Sequence, residues 1–333
     1  MKADFRNTFL LPFENGLINS PKQQEHWGLF NAQALPPNEI FAGEMKAVFD
    51  CEQSFRSDYL ALETASYKIV PQFEKNIQFD HAVVFSGRTR GINEHDFQRA
   101  WSSVKLGGLI IVAGEKNTGI GSLRKWISKQ VPIVESVSKH HAVCFWCVKN
   151  DSQLEGSARS AEARGLFAGG DIDKGSALLA RQFDNRIKGK VADLGAGWGY
   201  LTKELLQLSD KVESVDLYEA DWHSLEAAKR SLAGSSVPLH FHWTDIPGEF
   251  KKKPFEWIIM NPPFHHGLHG NRAADPGLGK AFIQTAASSL VQGGKLLMVA
   301  NRNLPYEETL QKAFRRHVKL ADEAGYKVFE AVK

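Results

Sequence analysis

Lys190-Val191-Ala192-Asp193-Leu194-Gly195-Ala196-Gly197-Trp198-Gly199 decides how the C-terminal half of this 333-residue chain folds. A short apolar run ends in an acidic residue and three alternate glycines. A helix-like stretch from Trp198 to Leu208 follows. Strand, tight glycine turn and helix is the order of a doubly wound α/β fold. The glycines let the backbone approach a ligand closely, and Asp193 can accept from a ligand amine. Several nucleotide-binding folds share this turn, so it sets the architecture before it sets the ligand.

Downstream, strands and helices alternate. Strands are expected at Val212–Tyr218, Leu239–Thr244, Trp257–Met260 and Lys295–Ala300, and helices at His223–Leu232, Lys280–Leu290 and Glu307–Phe314. The ending breaks the alternation. Val318–Glu323 and Tyr326–Val332 are joined directly through Ala324-Gly325 and read as a hairpin. A dehydrogenase would continue with further crossovers. An antiparallel hairpin closing a parallel, seven-stranded sheet fits a class I S-adenosylmethionine-dependent methyltransferase instead.

Upstream, residues 151–164 are polar and serine-rich and read as a linker between residues 1–150 and 165–333. Past the linker, Asp173 or Ser176 is placed to cap an apolar helix starting at Ala177. In the N-terminal half, strands are expected at Phe79–Phe85, Leu109–Ala113, Val131–Val137 and Ala142–Val148. Helices are expected at Glu94–Val104 and Gly121–Lys129. Residues 1 to about 40 read as irregular, with Trp27, Leu29 and Phe30 tucked onto a domain surface. Asn38–Phe49 and Ser54–Thr64 are weakly patterned.

The two halves align with each other. Phe79-Asp80-His81-Ala82-Val83-Val84 matches Phe255-Glu256-Trp257-Ile258-Ile259-Met260, and at the same offset Gly91 falls on Gly267. Gly107-Gly108 with its apolar strand matches Gly293-Gly294 with its own. The chemistry is not duplicated: Phe85-Ser86-Gly87-Arg88 stands where the other half has Asn261-Pro262-Pro263-Phe264. No upstream glycine loop resembles residues 193–199. The N-terminal half therefore reads as a degenerate copy without a donor site. The fold expected is two tandem Rossmann-like α/β domains.

Bulk properties exclude several classes. No apolar run reaches the ~18 residues of a membrane span. The start, Met1-Lys2-Ala3-Asp4-Phe5-Arg6, lacks a signal-peptide core, so a cytoplasmic protein off the membrane is expected. It is read as a monomer. A net charge of +3 permits a nucleic-acid partner without arguing for one. Three cysteines are too few and too odd for a disulfide framework. Cys144-Phe145-Trp146-Cys147 lies in an apolar strand, where residues three apart face opposite ways, so a metal or redox role is not expected. His265, His266 and His269, with His240 and His242, lack accompanying carboxylate or cysteine ligands.

The chemistry concentrates in Asn261-Pro262-Pro263-Phe264, directly after a buried strand. An exocyclic amine conjugated to a ring is a weak nucleophile because its lone pair is delocalised. Bonds from that amine to the Asn261 side-chain oxygen and the Pro262 carbonyl would draw it toward tetrahedral geometry and stabilise positive charge growing on nitrogen. The prolines stiffen the loop. Phe264, with Pro263 and His265, offers a face for an unstacked base, worth about 1–3 kcal/mol. A sulfonium donor carries positive charge and no pyrophosphate, so carboxylates near the glycine loop are welcome. Asp193, Gly195, Gly197 and Gly199 form that loop. Glu219, 26 residues after Asp193, is placed for ribose hydroxyls. Asp216 sits inside the same strand and Asp221 past its end. Asp245 ends the third strand and is placed for an adenine amine. Lys251-Lys252-Lys253 is either a phosphate contact or a solvated turn.

Residues 166–333 resemble the bacterial rRNA guanine-N2 methyltransferases of the RsmC-like, small-subunit type. The resemblance rests on Gly165-Leu166-Phe167, Asp173-x-Gly175-Ser176-x-x-Leu179 and the Asp193–Gly199 loop. It continues with Asn261-Pro262-Pro263-Phe264-His265-x-Gly267, then Ala300-Asn301-x-x-Leu304-Pro305-Tyr306, then Lys327-Val328-Phe329-x-Ala331. It implies direct, in-line methylation of guanine N2 in 16S rRNA from S-adenosylmethionine, with Asn261 also touching the donor. His266 departs from the acidic residue usual in that family. Other readings open at this point are an adenine-N6, 23S guanine-N2 or protein glutamine methyltransferase, and a non-catalytic RNA-binding assembly factor.

Overall fold

The computed structural model describes residues 5–35, 49–155, 172–263 and 276–333. Phe264, His265, His266, Gly267 and His269, the Gly165-Leu166-Phe167 stretch and most of Asn38–Phe49 lie outside them. The chain divides into two compact units, Met1–Ala161 and Glu162–Lys333. The first residues of the expected linker are tied to the first unit. Trp101 Nε1 donates to the Ser152 carbonyl at 3.0 Å, and Glu155 N donates to Gln130 Oε1 at 2.7 Å. Residues 156–164 lie outside the described set.

The second unit holds β8 (Gly189–Leu194), β9 (Val212–Glu219), β10 (Leu239–Trp243), β11 (Phe255–Met260), β12 (Leu290–Asn301), β13 (Arg316–Glu323) and β14 (Tyr326–Val332). Their order is β10-β9-β8-β11-β12-β14-β13. The first five are parallel, β14 runs antiparallel to β12, and β13–β14 is the expected hairpin. Both faces of the sheet are covered. Ala192, Ile258 and Met298 pack against Phe282, Ile283 and Leu310 on one side. Val191, Ile259 and Val299 pack with Leu201 and Leu205 on the other. Burial on both faces explains why these strands read as unbroken apolar runs.

The first unit holds β1 (Trp27–Phe30), β2 (Phe49–Glu52), β3 (Lys68–Val70), β4 (His81–Phe85), β5 (Leu109–Glu115), β6 (Glu135–Lys139) and β7 (Ala142–Val148). Their order, β3-β2-β1-β4-β5-β7-β6, is the same permutation. Each sheet has seven strands, and in each the last strand of the chain runs against both of its neighbours.

Here one expectation fails in part. Among residues 5–35 two stretches are regular. Phe5–Glu14 is a helix with Phe5, Phe9, Leu10 and Phe13 buried, and Trp27–Phe30 is an interior strand of the sheet, between β2 and β4, rather than a surface tuck. Gly28 lets that strand pass the Phe79 ring, since a Cβ there would sit 2.5 Å from it. The cysteines behave as expected. Cys144 packs on one face of β7 with Val83 and Phe85, and Cys147 on the other with Ile110. Burial pushes the Cys147 thiol up to about 12, leaving it unreactive.

Candidate functional site at the carboxyl edge of the second sheet

The order of the second sheet reverses between β8 and β11. Ligands of open α/β sheets bind at such a switch point, beyond the carboxyl ends of the strands. Asp193-Leu194 ends β8, Glu219 ends β9, Asp245 follows β10 and Asn261 follows β11. The topology therefore gathers these predicted side chains along one edge. Lys251-Lys252-Lys253 precedes β11 and lies at the other edge, where Lys253 Nζ donates to Asp216 at 2.6 Å.

The glycine loop bends as its sequence demands. Gly195, Gly197 and Gly199 have φ of 76°, 55° and 84°, the left-handed region where a side chain is strained. Their surroundings differ. A Cβ on Gly199 would meet Leu232 at 2.8 Å, so that glycine serves the packing of the Tyr200–Leu208 helix. A Cβ on Gly197 meets nothing within 4 Å. Gly195 lies against the next loop: a Cβ there would be 3.8 Å from Pro263 Cδ and 3.9 Å from the Asn261 carbonyl oxygen. The glycine loop and the Asn-Pro-Pro loop are thus neighbours in space, 66 positions apart in sequence.

Two carboxylates flank this cradle in the chain: Asp193 leads into it and Glu219 reaches it. Glu219 Oε2 accepts from Gly197 N at 2.8 Å and Oε1 from Asp221 N at 2.8 Å. It thereby stiffens the loop while each oxygen keeps a lone pair. Asp216 is excluded from this role by His242 and Lys253, both bonded to it. Asp221 is occupied as the cap of the Trp222–Ser231 helix. Asp193 is fully buried. Its Oδ2 accepts from Thr202 Oγ1 at 2.7 Å, while Oδ1 has no partner among the described residues. Burial pushes both Asp193 and Glu219 up to about 7, which the Thr202 bond and the backbone donors only partly oppose. A cationic ligand bearing hydroxyls would favour the ionised form of both carboxyls, offsetting the burial that raises them. Asp245 heads the short Ile246–Glu249 helix.

Asn261 has both amide protons engaged. Its Nδ2 donates to Asp173 Oδ2 at 2.8 Å and to Ser176 Oγ at 2.9 Å. Among the described residues nothing donates to its Oδ1. Asp173 also caps the Lys174–Ala180 helix by accepting from Ser176 N at 2.8 Å. The sequence offered Asp173 or Ser176 as the cap of a helix from Ala177; the helix starts at Lys174 with Asp173 as its cap, and the same carboxylate serves a loop 88 positions away. The neighbouring strand end, β12, leads into Asn301–Tyr306. Lys327, buried on β14, holds that segment through the Leu304 carbonyl at 3.3 Å and Glu307 at 2.5 Å. Among the described residues no cluster of metal-ligating side chains is present, and no helix is long and apolar enough to cross a membrane.

Comparisons with known proteins agree with this geometry. The chain is 27% identical over 323 residues to ribosomal RNA small subunit methyltransferase C of Yersinia pseudotuberculosis serotype IB, covering 88% of this chain and 90% of the relative. The same protein of Yersinia pestis strain Pestoides F is 26% identical over the same span. Among solved structures, the 16S rRNA N2 methyltransferase RsmC of T. thermophilus, in complex with AdoMet and guanosine, superposes with a TM-score of 0.78 at 23% identity. It covers 99% of this chain and 91% of that one, so both units share its fold. The model of the methyltransferase small domain matches residues 158–330, more than half of the chain. The chain belongs to the methyltransferase small domain family.

Proposed function

We propose that this protein methylates the exocyclic N2 amine of a guanosine in 16S rRNA, with S-adenosylmethionine as donor. One observation carries the reading: Asn261-Pro262-Pro263 abuts Gly195 of the glycine loop, with the Asn261 nitrogen tied down and no described residue donating to its oxygen. The residues present fit the donor. Asp193 offers an unpartnered buried carboxylate oxygen toward a cationic amine, Glu219 offers acceptors for ribose hydroxyls, and Gly197 leaves room for close approach. Asp245 stands for the adenine amine.

When bound, the donor supplies an activated methyl group on a sulfonium, which passes in line to the amine. The chain's own work is positioning. Asn261 Oδ1 and the Pro262 carbonyl accept from the amine and favour the charge that grows on its nitrogen. Phe264, Pro263 and His265 are assigned to the unstacked base. The first unit carries no donor site in this reading, so the enzyme has a single active centre and works as a cytoplasmic monomer on rRNA.

The test is mass spectrometry of 16S rRNA nucleosides from a strain lacking the gene. Loss of N2-methylguanosine, restored by the intact gene, is expected. Loss of N6-methyladenosine instead would move the acceptor to adenine. An unchanged nucleoside profile, with no donor binding by calorimetry, would leave a non-catalytic RNA-binding protein.

A further inference from the structure

We infer that Asp173 and Ser176 are positioning residues that lock the Asn261 carboxamide with its oxygen toward the acceptor amine. The inference rests on the role proposed above for Asn261. A carboxamide has two ends of nearly the same shape and opposite chemistry. Rotated by half a turn, Asn261 would present N–H groups to an amine that must itself donate. Something has to choose the orientation.

The surroundings make that choice. Asp173 can only accept when ionised, and it lies 2.8 Å from Nδ2. The flipped amide would set an oxygen against that carboxylate, acceptor against acceptor. Ser176 Oγ, at 2.9 Å, takes the second contact. Both Nδ2 protons are thus spent, and among the described residues Oδ1 is left as a free acceptor. The Asp173 charge adds a second effect. An amide whose N–H groups donate to an anion is polarised, and its oxygen becomes a stronger acceptor. That strength matters most when the substrate nitrogen becomes cationic, so the gain falls in the transition state.

Asp173 is itself held. Its Oδ2 accepts from Ser176 N at 2.8 Å as the helix cap. Gly175 closes the remaining space: a Cβ there would sit 3.0 Å from Asp173 Oδ2 and 2.9 Å from two atoms of the Tyr326 ring. The Asp-x-Gly-Ser stretch therefore works as a unit. Asp173 and Ser176 grip the amide, and Gly175 lets the helix turn pack tightly enough for the grip. A bare N-cap would need none of the contacts to Asn261.

The test uses the full chain, S-adenosylmethionine and 16S rRNA lacking the modification. Asp173→Asn keeps the shape and a good cap but removes the charge. Ser176→Ala removes the second acceptor. Asp173→Asn should slow single-turnover methyl transfer about tenfold, the low end for one hydrogen bond to a charged group, and Ser176→Ala about fivefold, for one to a neutral hydroxyl. Donor affinity by calorimetry and the melting temperature should stay near those of the parent. In an Asn261→Ala background, neither substitution should slow the residual rate further. Full transfer in both variants, while Asn261→Ala alone abolishes it, would overturn the inference and leave the proposed role of Asn261 intact. Equal losses of melting temperature and donor affinity, or effects that add to Asn261→Ala, would reduce both residues to a structural cap. Retained transfer in Asn261→Ala would overturn the inference together with the reading beneath it.

Discussion

At the end of its first central strand the N-terminal sheet carries Leu29-Phe30-Asn31 where the C-terminal sheet carries Asp193-Leu194-Gly195. The correspondence comes from strand registers. Leu29 pairs with Val83 and Asp193 with Ile259, residues equivalent in the internal repeat. Leu29 also pairs with Cys51 as Asp193 pairs with Leu217, so two residues further on Gln53 is the equivalent of Glu219. Gln53 Oε1 accepts from Phe55 N at 2.8 Å, as Glu219 Oε1 accepts from Asp221 N. Its Nε2 then turns inward, donating to the Ala32 carbonyl at 2.8 Å and Asn31 Oδ1 at 3.3 Å. Asn31 Nδ2 donates in turn to the Phe85 carbonyl at 2.8 Å. One sheet leaves its crevice open beside Gly197; the other fills the equivalent crevice with its own amides.

The contrast extends to the reacting position. Phe85 replaces Asn261, and each is gripped by the helix preceding its first strand. In the second unit the grip is polar, from Asp173 and Ser176. In the first it is aromatic, with Phe5 and Phe9 at 5.8 and 5.3 Å from Phe85 between ring centroids. One frame thus tolerates a polar site around an open glycine loop in one copy and a crevice filled by its own amides and aromatic rings in the other. A crevice filled in this way leaves no evident room for a charged ligand, which is why the proposed function places a single donor site in the second unit.

The largest effect expected is from Asn261→Ala. Transfer should fall about 10²–10³-fold, as for loss of one preorganised group facing developing charge. Donor affinity by calorimetry should barely change. A variant that still turns over would mean the two copies do not differ in chemistry at this position.

Next comes Gly195→Asn, which gives the working copy the residue of the silent one. Asparagine tolerates the left-handed backbone that Gly195 adopts, and its Cβ meets nothing closer than Phe282 at 3.5 Å. The domain should therefore fold, with a melting temperature close to the parent. The amide should occupy the crevice, weakening donor binding by roughly 100-fold, about 2.7 kcal/mol. Undiminished affinity would show that Asn31 is not what closes the first unit.

A smaller effect follows from acidity. Asp193 and Glu219 are raised to about 7 by burial. A cationic donor prefers them ionised, so affinity should tighten about tenfold between pH 6 and pH 8 for each group coupled to binding. Stability without donor should move the other way. The folded pKa lies above the unfolded one, so this contribution is full below the ordinary carboxylate range. It is lost as pH climbs to about 7. Asp193→Asn, which cannot titrate, should gain on the parent in melting temperature across that interval. A flat difference would deny the buried carboxylate its raised pKa.

How much of this was legible in the sequence depends on the length and periodicity of the segments. The second unit read clearly because its long buried strands are separated by glycine turns and amphipathic helices. The first unit's centre did not. Trp27–Phe30 is four residues long and buried throughout, so it has neither alternation nor length. The Phe5–Glu14 helix contains Pro12, which reads as a breaker. At the site, loop glycines and strand-end carboxylates announce themselves by type and spacing. The Asp173–Asn261 bond does not, because local sequence explains Asp173 completely as a cap. Only the folded chain shows a second use.

The smallest change is expected where the comparison is pushed hardest, in restoring the silent copy. Asn31→Gly with Gln53→Glu rebuilds two features of the working crevice. It leaves Leu29 where Asp193 stands, so no carboxylate awaits a donor amine. It also leaves Glu52 buried against Arg99, which lies over the Phe30 ring at 5.3 Å and fills the strand ends with a satisfied ion pair. The carboxyl introduced at position 53 would lack the two bonds that the Gln53 amide donates. It would also face burial near Glu52, so it would stay protonated. Calorimetric stoichiometry should remain one donor per chain. A second equivalent would mean that two side chains, rather than the whole set around the crevice, separate the copies.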